Sequence, residues 1–155
     1  MREILFRAKQ KNWCELPKDD WWVEGYYAMM GVDSLIRHYI VQNCAVTKLF
    51  KNPEDNMYFN DVEIDPETLC QYTGKSDEDG KKIFEGDIVG FIDLYSTESG
   101  YSESSCFGEV IWSEEECCFH VTNRLSAESF EVLGECKVVG NVFDNKELLD
   151  EGGIG

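Results

Sequence analysis

The residues of this 155-residue chain that could do chemistry fall into four short constellations. Glu85 and Asp87 stand two apart, a spacing that in a strand puts both carboxylates on one face and could supply an acid and a base. That work needs an environment that drives their pKa values apart; Gly86 between them reads instead as a bend at which Asp87 accepts backbone amides. Cys117, Cys118 and His120 offer thiol and imidazole donors, and in a strand Cys118 and His120 would share a face while Cys117 points away. A structural zinc site uses four donors, usually with two cysteines separated by two residues, and that spacing is absent, so no metal is expected. A Cys–His nucleophile pair needs only that its partners meet in space, which one sequence leaves open. Asp77, Asp79 and Gly80 resemble part of a calcium loop. Aligned on Gly80, however, Lys75 falls at the first ligand position and Gly86 where the bidentate glutamate belongs. The segment reads as a turn, with Gly80 supplying the positive φ of a tight strand connection. Trp13, Trp21, Trp22, Tyr26 and Tyr27 concentrate aromatic surface around a basic start. Stacking on single-stranded bases would use such residues, but core packing or a subunit interface explains them more cheaply. No glycine-rich phosphate loop is present, and no cofactor is expected.

Composition narrows the classes further. With 43% hydrophobic and 13% aromatic residues the chain is too apolar to be disordered, and its size suits one domain able to bury roughly 69% of its extended surface. The net charge of −17 repels phosphate backbones and anionic membranes, so neither direct nucleic-acid binding nor membrane binding is expected. Charge is unevenly spread. Residues 1–12 carry four basic groups against one acidic, while residues 49–155 carry seven against 25, an asymmetry that keeps the body soluble and could draw subunits together head to tail. Seven cysteines cannot all pair within one chain. The apolar stretch Ile4–Phe6 is too short for a signal peptide, and no run reaches membrane-spanning length. A reducing cytoplasm, with the cysteines as small apolar residues, is the expected setting.

The elements that must position these groups read as short strands. Ile4, Phe6 and Ala8 alternate with Arg7 and Lys9, a strand with one wet face. Trp13–Leu16 reads as a short partner strand ended by Pro17, with a turn at Lys18–Asp20. Trp22–Met30 leads through Gly31, Val32 and Asp33 into Leu35–Val41; a helix over Asp33–Val41 competes there, and Tyr39, Ile40 and Val41 favour the strand. Lys51–Asn60 is loop chemistry. Strands are expected over Leu69–Tyr72, over Ile83–Leu94 with breaks at Gly86 and Gly90, and over Glu109–Trp112, Cys117–Val121, Phe130–Leu133 and Cys136–Phe143. The serine-rich stretch Tyr95–Ser105 reads as a mobile loop. Asn145–Asp150 is the one expected helix, with Asn145 as its cap. The pattern is that of an all-β sheet or small barrel.

Three blocks together resemble the YopX family of phage and prophage proteins: Met1–Ala8; Ile64–Gly74 with Asp77–Val89; and Cys136–Leu149. Trp22, Val23, Glu24, Gly25 and Tyr26 look like the aromatic hairpin many members carry. Cys70 departs from a usual glycine, and the Tyr95–Ser105 stretch is longer than typical, which makes it a place for individual function. The resemblance implies a mainly β fold, with an N-terminal β-hairpin region, a small SH3-like barrel in the C-terminal half and a short C-terminal helix. It implies a single domain over 1–155, with lobes at 1–62 and 63–150, and a tendency to form homo-oligomers. It carries no catalytic residues. The expected partner-binding residues are Trp21, Trp22, Tyr26, Tyr72, Glu85 and Asp87. The expected role is a non-enzymatic, self-assembling interaction module that binds a host or phage protein. The competing roles are an acidic decoy of nucleic acid, with Glu114, Glu115 and Glu116 imitating phosphates, and an enzyme with a dispersed site.

Overall fold

A computed structural model of the chain describes residues 3–42, 60–123, 127–129 and 135–151. The chain is mainly β and divides into two compact units, Met1–Gln71 and Tyr72–Gly155.

In the first unit, β1 (Phe6–Lys9), β2 (Trp22–Met30), β3 (Arg37–Gln42), β4 (Asn60–Glu63) and the start of β5 (Cys70–Ser76) lie in the order β4-β3-β2-β1-β5, all antiparallel. The nine residues of β2 serve two neighbours: Trp22–Gly25 pair with β1, and Tyr26–Met30 pair with β3. Ala8, Val23, Ile40 and Ile64 form the core, with Phe6, Tyr27, Val62 and Leu69 packed against it. The strand reading of residues 37–42 prevails over the helical one, and a single 3₁₀ turn, Asp33–Leu35, links β2 to β3.

Two expectations fail on β1 and its neighbour. The face expected to be wet is covered, with Arg7 9% and Lys9 2% exposed, while Ile4 is 58% exposed. Trp13–Glu15 is a 3₁₀ turn and not a partner strand. One cause serves both: the chain after β1 folds back so that Trp13 and Trp21 lie over Lys9, with the Trp13 amide donating to the Gln10 carbonyl at 3.0 Å.

In the second unit, the end of β5 pairs with β6 (Lys82–Phe84). β7 (Asp87–Thr97), β8 (Gly100–Ser113), β9 (Cys118–Thr122), β10 (Ala127–Ser129) and β11 (Cys136–Asn141) form an antiparallel sheet in the order β10-β9-β8-β7-β11. Ile83, Val89, Val110, Phe119, Val121, Cys136 and Val138 make its core. Among the described residues this sheet is open, with β10 and β11 as its edges, and no barrel closes. Gly80 takes the positive φ its turn requires, +80°.

The stretch 95–105 is no loop. The β7–β8 ladder runs in unbroken register from Ile88 opposite Glu109 to Thr97 opposite Gly100. Thr97 Oγ1 closes the turn by donating to the Gly100 carbonyl at 2.9 Å. Backbone hydrogen bonds hold a ladder whatever its side chains are, so serines signalled a loop where strands form. The helix α1 (Glu147–Glu151) forms as expected in place. Asn145 Oδ1, however, accepts from the Asn141 amide at 3.4 Å. The expected strand Phe130–Leu133, and the expected loop 51–60 apart from Asn60, lie outside the described residues.

Candidate functional site

In the first unit the aromatic residues divide into two groups. Trp13 and Trp21 meet edge to face with centroids 4.8 Å apart. The Lys9 ammonium lies 3.9 Å from the Trp13 ring centre, 4.5 Å from Trp21 and 5.5 Å from Trp22, and the Arg7 guanidinium lies 4.9 Å from Trp22. Ring quadrupoles thus surround a cation that has been taken out of water. Trp21 Nε1 donates to the Leu16 carbonyl at 3.0 Å, which fixes the cage. Trp21 and Trp22, both expected at a partner surface, are half-buried and spend their faces on Lys9 and Arg7.

The second group lies along β2 and β3. Tyr27 turns inward, stacks on His38 and shares a 2.7 Å hydrogen bond with its Nδ1. Tyr26, its neighbour on the opposite face, is 50% exposed. Beyond them the hairpin end is apolar and uncovered: Met29, Met30, Val32, Leu35 and Ile36 are 62%, 45%, 74%, 74% and 51% exposed. Met29 and Met30 point to opposite faces of the strand, so neither face of this end is covered. Asp33 and Arg37, also exposed, flank it with opposite charges.

The remaining expected residues belong to the second unit. Tyr72 is buried against Phe84, with centroids 5.5 Å apart. Asp87 is 1% exposed, and its Oδ2 accepts the Phe84 amide at 2.8 Å, the bend chemistry read from Gly86. Glu85 acts electrostatically on Glu109, whose pKa is raised first by burial and then by Glu85, against the pull of Lys146.

Sequence reasoning missed the clamp at Asp77. Its Oδ1 accepts the Asp79 and Lys81 amides at 3.0 and 2.8 Å, and its Oδ2 accepts the Val138 amide, 61 residues away, at 3.0 Å. Burial opposes the charge, but these amides and the Lys81 charge outweigh it and hold the carboxyl below its usual value. The spacing Asp77–Asp79–Gly80 showed the turn but not the long-range bond to β11.

Cys136 is buried beside a groove of about 580 Å³, whose floor includes Phe91, Phe107 and Val139. Burial, followed by the Asp77 and Glu78 charges, pushes its thiol up and so keeps it protonated.

A further set lies at the β8–β9 turn. Glu116, Cys118 and His120 bring one donor atom each within 4.8 Å of one another. The shared face of Cys118 and His120 was legible in strand alternation. Glu116 joins them because Cys117, at φ +52°, turns the chain between, a conformation that no residue type in the segment announced. Neither Glu85 nor Asp87 belongs to this set.

Comparison with known proteins adds a family. The family model described as YopX protein matches residues 21–150. Among solved structures, the chain is similar to protein EF1440 from Enterococcus faecalis. The identity is 19%, the alignment covers 96% of this chain and 99% of that one, and the TM-score is 0.44. No curated protein matches.

Proposed function

Because this chain belongs to the YopX family, we propose that it is a phage or prophage accessory protein of the bacterial cytoplasm. In this reading it is a non-enzymatic interaction module that assembles with copies of itself and presents the assembly to a host or phage protein. The observation that carries the proposal is the uncovered apolar end of the β2–β3 hairpin, five large side chains between Met29 and Ile36. A concentration of large exposed apolar side chains on a strongly charged protein supports the reading of this end as a contact surface. A second copy is the favoured occupant. A twofold contact at the hairpin end would use the same exposed apolar residues, and the flanking Asp33 and Arg37, on both copies. Tyr26 extends the contact, and Trp21 and Trp22 support it by fixing the cage behind. The second unit acts as the β body of the module, and its protonated Cys136 thiol fits a structural role better than a nucleophilic one.

Sedimentation at low and high salt tests the reading. An apolar contact between chains of net charge −17 tightens as salt screens their repulsion, so the assembled fraction should rise with salt. Capture of a host DNA-binding protein that weakens steeply with salt would instead favour the decoy of nucleic acid, for which charge alone makes the contact.

A further inference from the structure

Independently of the assembly reading, we propose that Glu116, Cys118 and His120 form a binding site for a zinc-class divalent ion at the β8–β9 turn. Two observations meet there. The three donor atoms lie within 4.8 Å of one another. The His120 side chain is 8% exposed, and its buried Nε2 has no hydrogen-bond partner, although Glu116 Oε2 stands 2.9 Å away. At that distance a carboxylate would be a strong acceptor, but the alignment of a hydrogen bond is missing. The buried nitrogen and the carboxylate oxygen thus face one another at a distance that a single cation bound to both would span.

The backbone assembles the set without needing the metal. Strand alternation puts Cys118 and His120 on one face of β9, opposite Ser113 and Ile111 of β8. The left-handed Cys117 and the 3.3 Å bond from the Glu116 amide to Ser113 Oγ bring Glu116 back over that face. Cys117 itself is exposed, with its Sγ directed to the Glu114 carbonyl.

The donor types select the ion. Thiolate, imidazole and carboxylate together suit zinc, whereas calcium and magnesium take oxygen alone. Bonds of about 2.0–2.3 Å in a tetrahedron place neighbouring donors about 3.3–3.8 Å apart, so the exposed Glu116 and half-buried Cys118 need only side-chain adjustment. Three protein ligands leave a fourth position for water or an incoming donor, so the ion exchanges and is not sealed in. Binding releases the Cys118 thiol proton to solvent, with no change of oxidation state.

The test is titration of the reduced, metal-free full chain with cobalt(II), followed by displacement with zinc. One cobalt per chain should bind saturably, with a thiolate-to-cobalt charge-transfer band that zinc abolishes. Cys118→Ser should lose the band while keeping the wild-type far-ultraviolet circular dichroism, His120→Gln should lose saturable uptake, and Cys117→Ser should retain both. The proposal is overturned if no saturable uptake occurs, if the band survives in Cys118→Ser, or if it disappears in Cys117→Ser instead.

Discussion

Two hairpins of this protein solve the same backbone problem and leave opposite surfaces. In β7–β8 the ladder runs to Thr97 and Gly100, and the connection there carries Glu98 and Ser99, with Ser102 and Glu103 following. In β2–β3 the ladder runs to Met30 and Arg37, and the residues beyond are Val32, Leu35 and Ile36. Pairing satisfies the backbone in both. The connections differ in length, two residues against six, and in side chains: the polar end is at home in water, apart from an exposed Tyr101, whereas the apolar end exposes Val32, Leu35 and Ile36. Exposure of a hairpin is therefore no sign of function by itself; the chemistry of what is exposed decides it.

The largest expected effect comes from breaking the apolar end. Val32→Glu with Leu35→Glu should weaken self-association by at least about 100-fold, or about 2.7 kcal/mol, read by sedimentation. Tyr101→Glu, the matched change on the polar hairpin, should leave the assembly mass unchanged.

The unit that holds the polar hairpin should break from inside instead. Asp77→Ala strips a buried acceptor from three amides and should cost about 2–3 kcal/mol in urea unfolding. Since the folded Asp77 pKa lies below its unfolded value, its contribution is fully present above the ordinary carboxylate range and is lost as pH falls through the folded value. Asp77→Asn should thus be less stable than wild type at neutral pH and should lose less than wild type below about pH 4.

A finer comparison uses two glycines of nearly equal φ, Gly31 at +134° and Gly100 at +132°. A Cβ at Gly31 would run into the Leu35 carbonyl oxygen, while one at Gly100 would meet nothing within 4 Å. Gly31→Ala should cost about 2–3 kcal/mol and Gly100→Ala about 1 kcal/mol, the backbone strain alone, both read by thermal unfolding. Equal costs would mean that the Leu35 turn yields freely.

Much of this was legible in the sequence, for reasons that particular residues show. Alternation and β-branched or aromatic residues announced β2, β3 and β9, and Gly86 with Asp87 announced a bend whose carboxylate takes an amide. Polarity misled at 95–105, since a ladder with water on its faces accepts serine as readily as valine. It misled again at β1, where alternating Lys9 and Arg7 looked like a wet face until the tryptophans after them folded back. The Asp77 bond to Val138 and the convergence of Glu116 on His120 depend on partners brought near by long-range pairing or by one left-handed residue, and neither leaves a periodic trace.

The most direct test of the central claim, that the β2–β3 hairpin end joins copies of this chain, is multi-angle light scattering of the reduced full chain over a wide concentration range. The wild type should show a mass that is a multiple of the single chain, and the Val32→Glu, Leu35→Glu variant the single-chain mass with an unchanged circular dichroism spectrum. A wild type that stays at single-chain mass throughout, or an assembly that survives the double change intact, would contradict it.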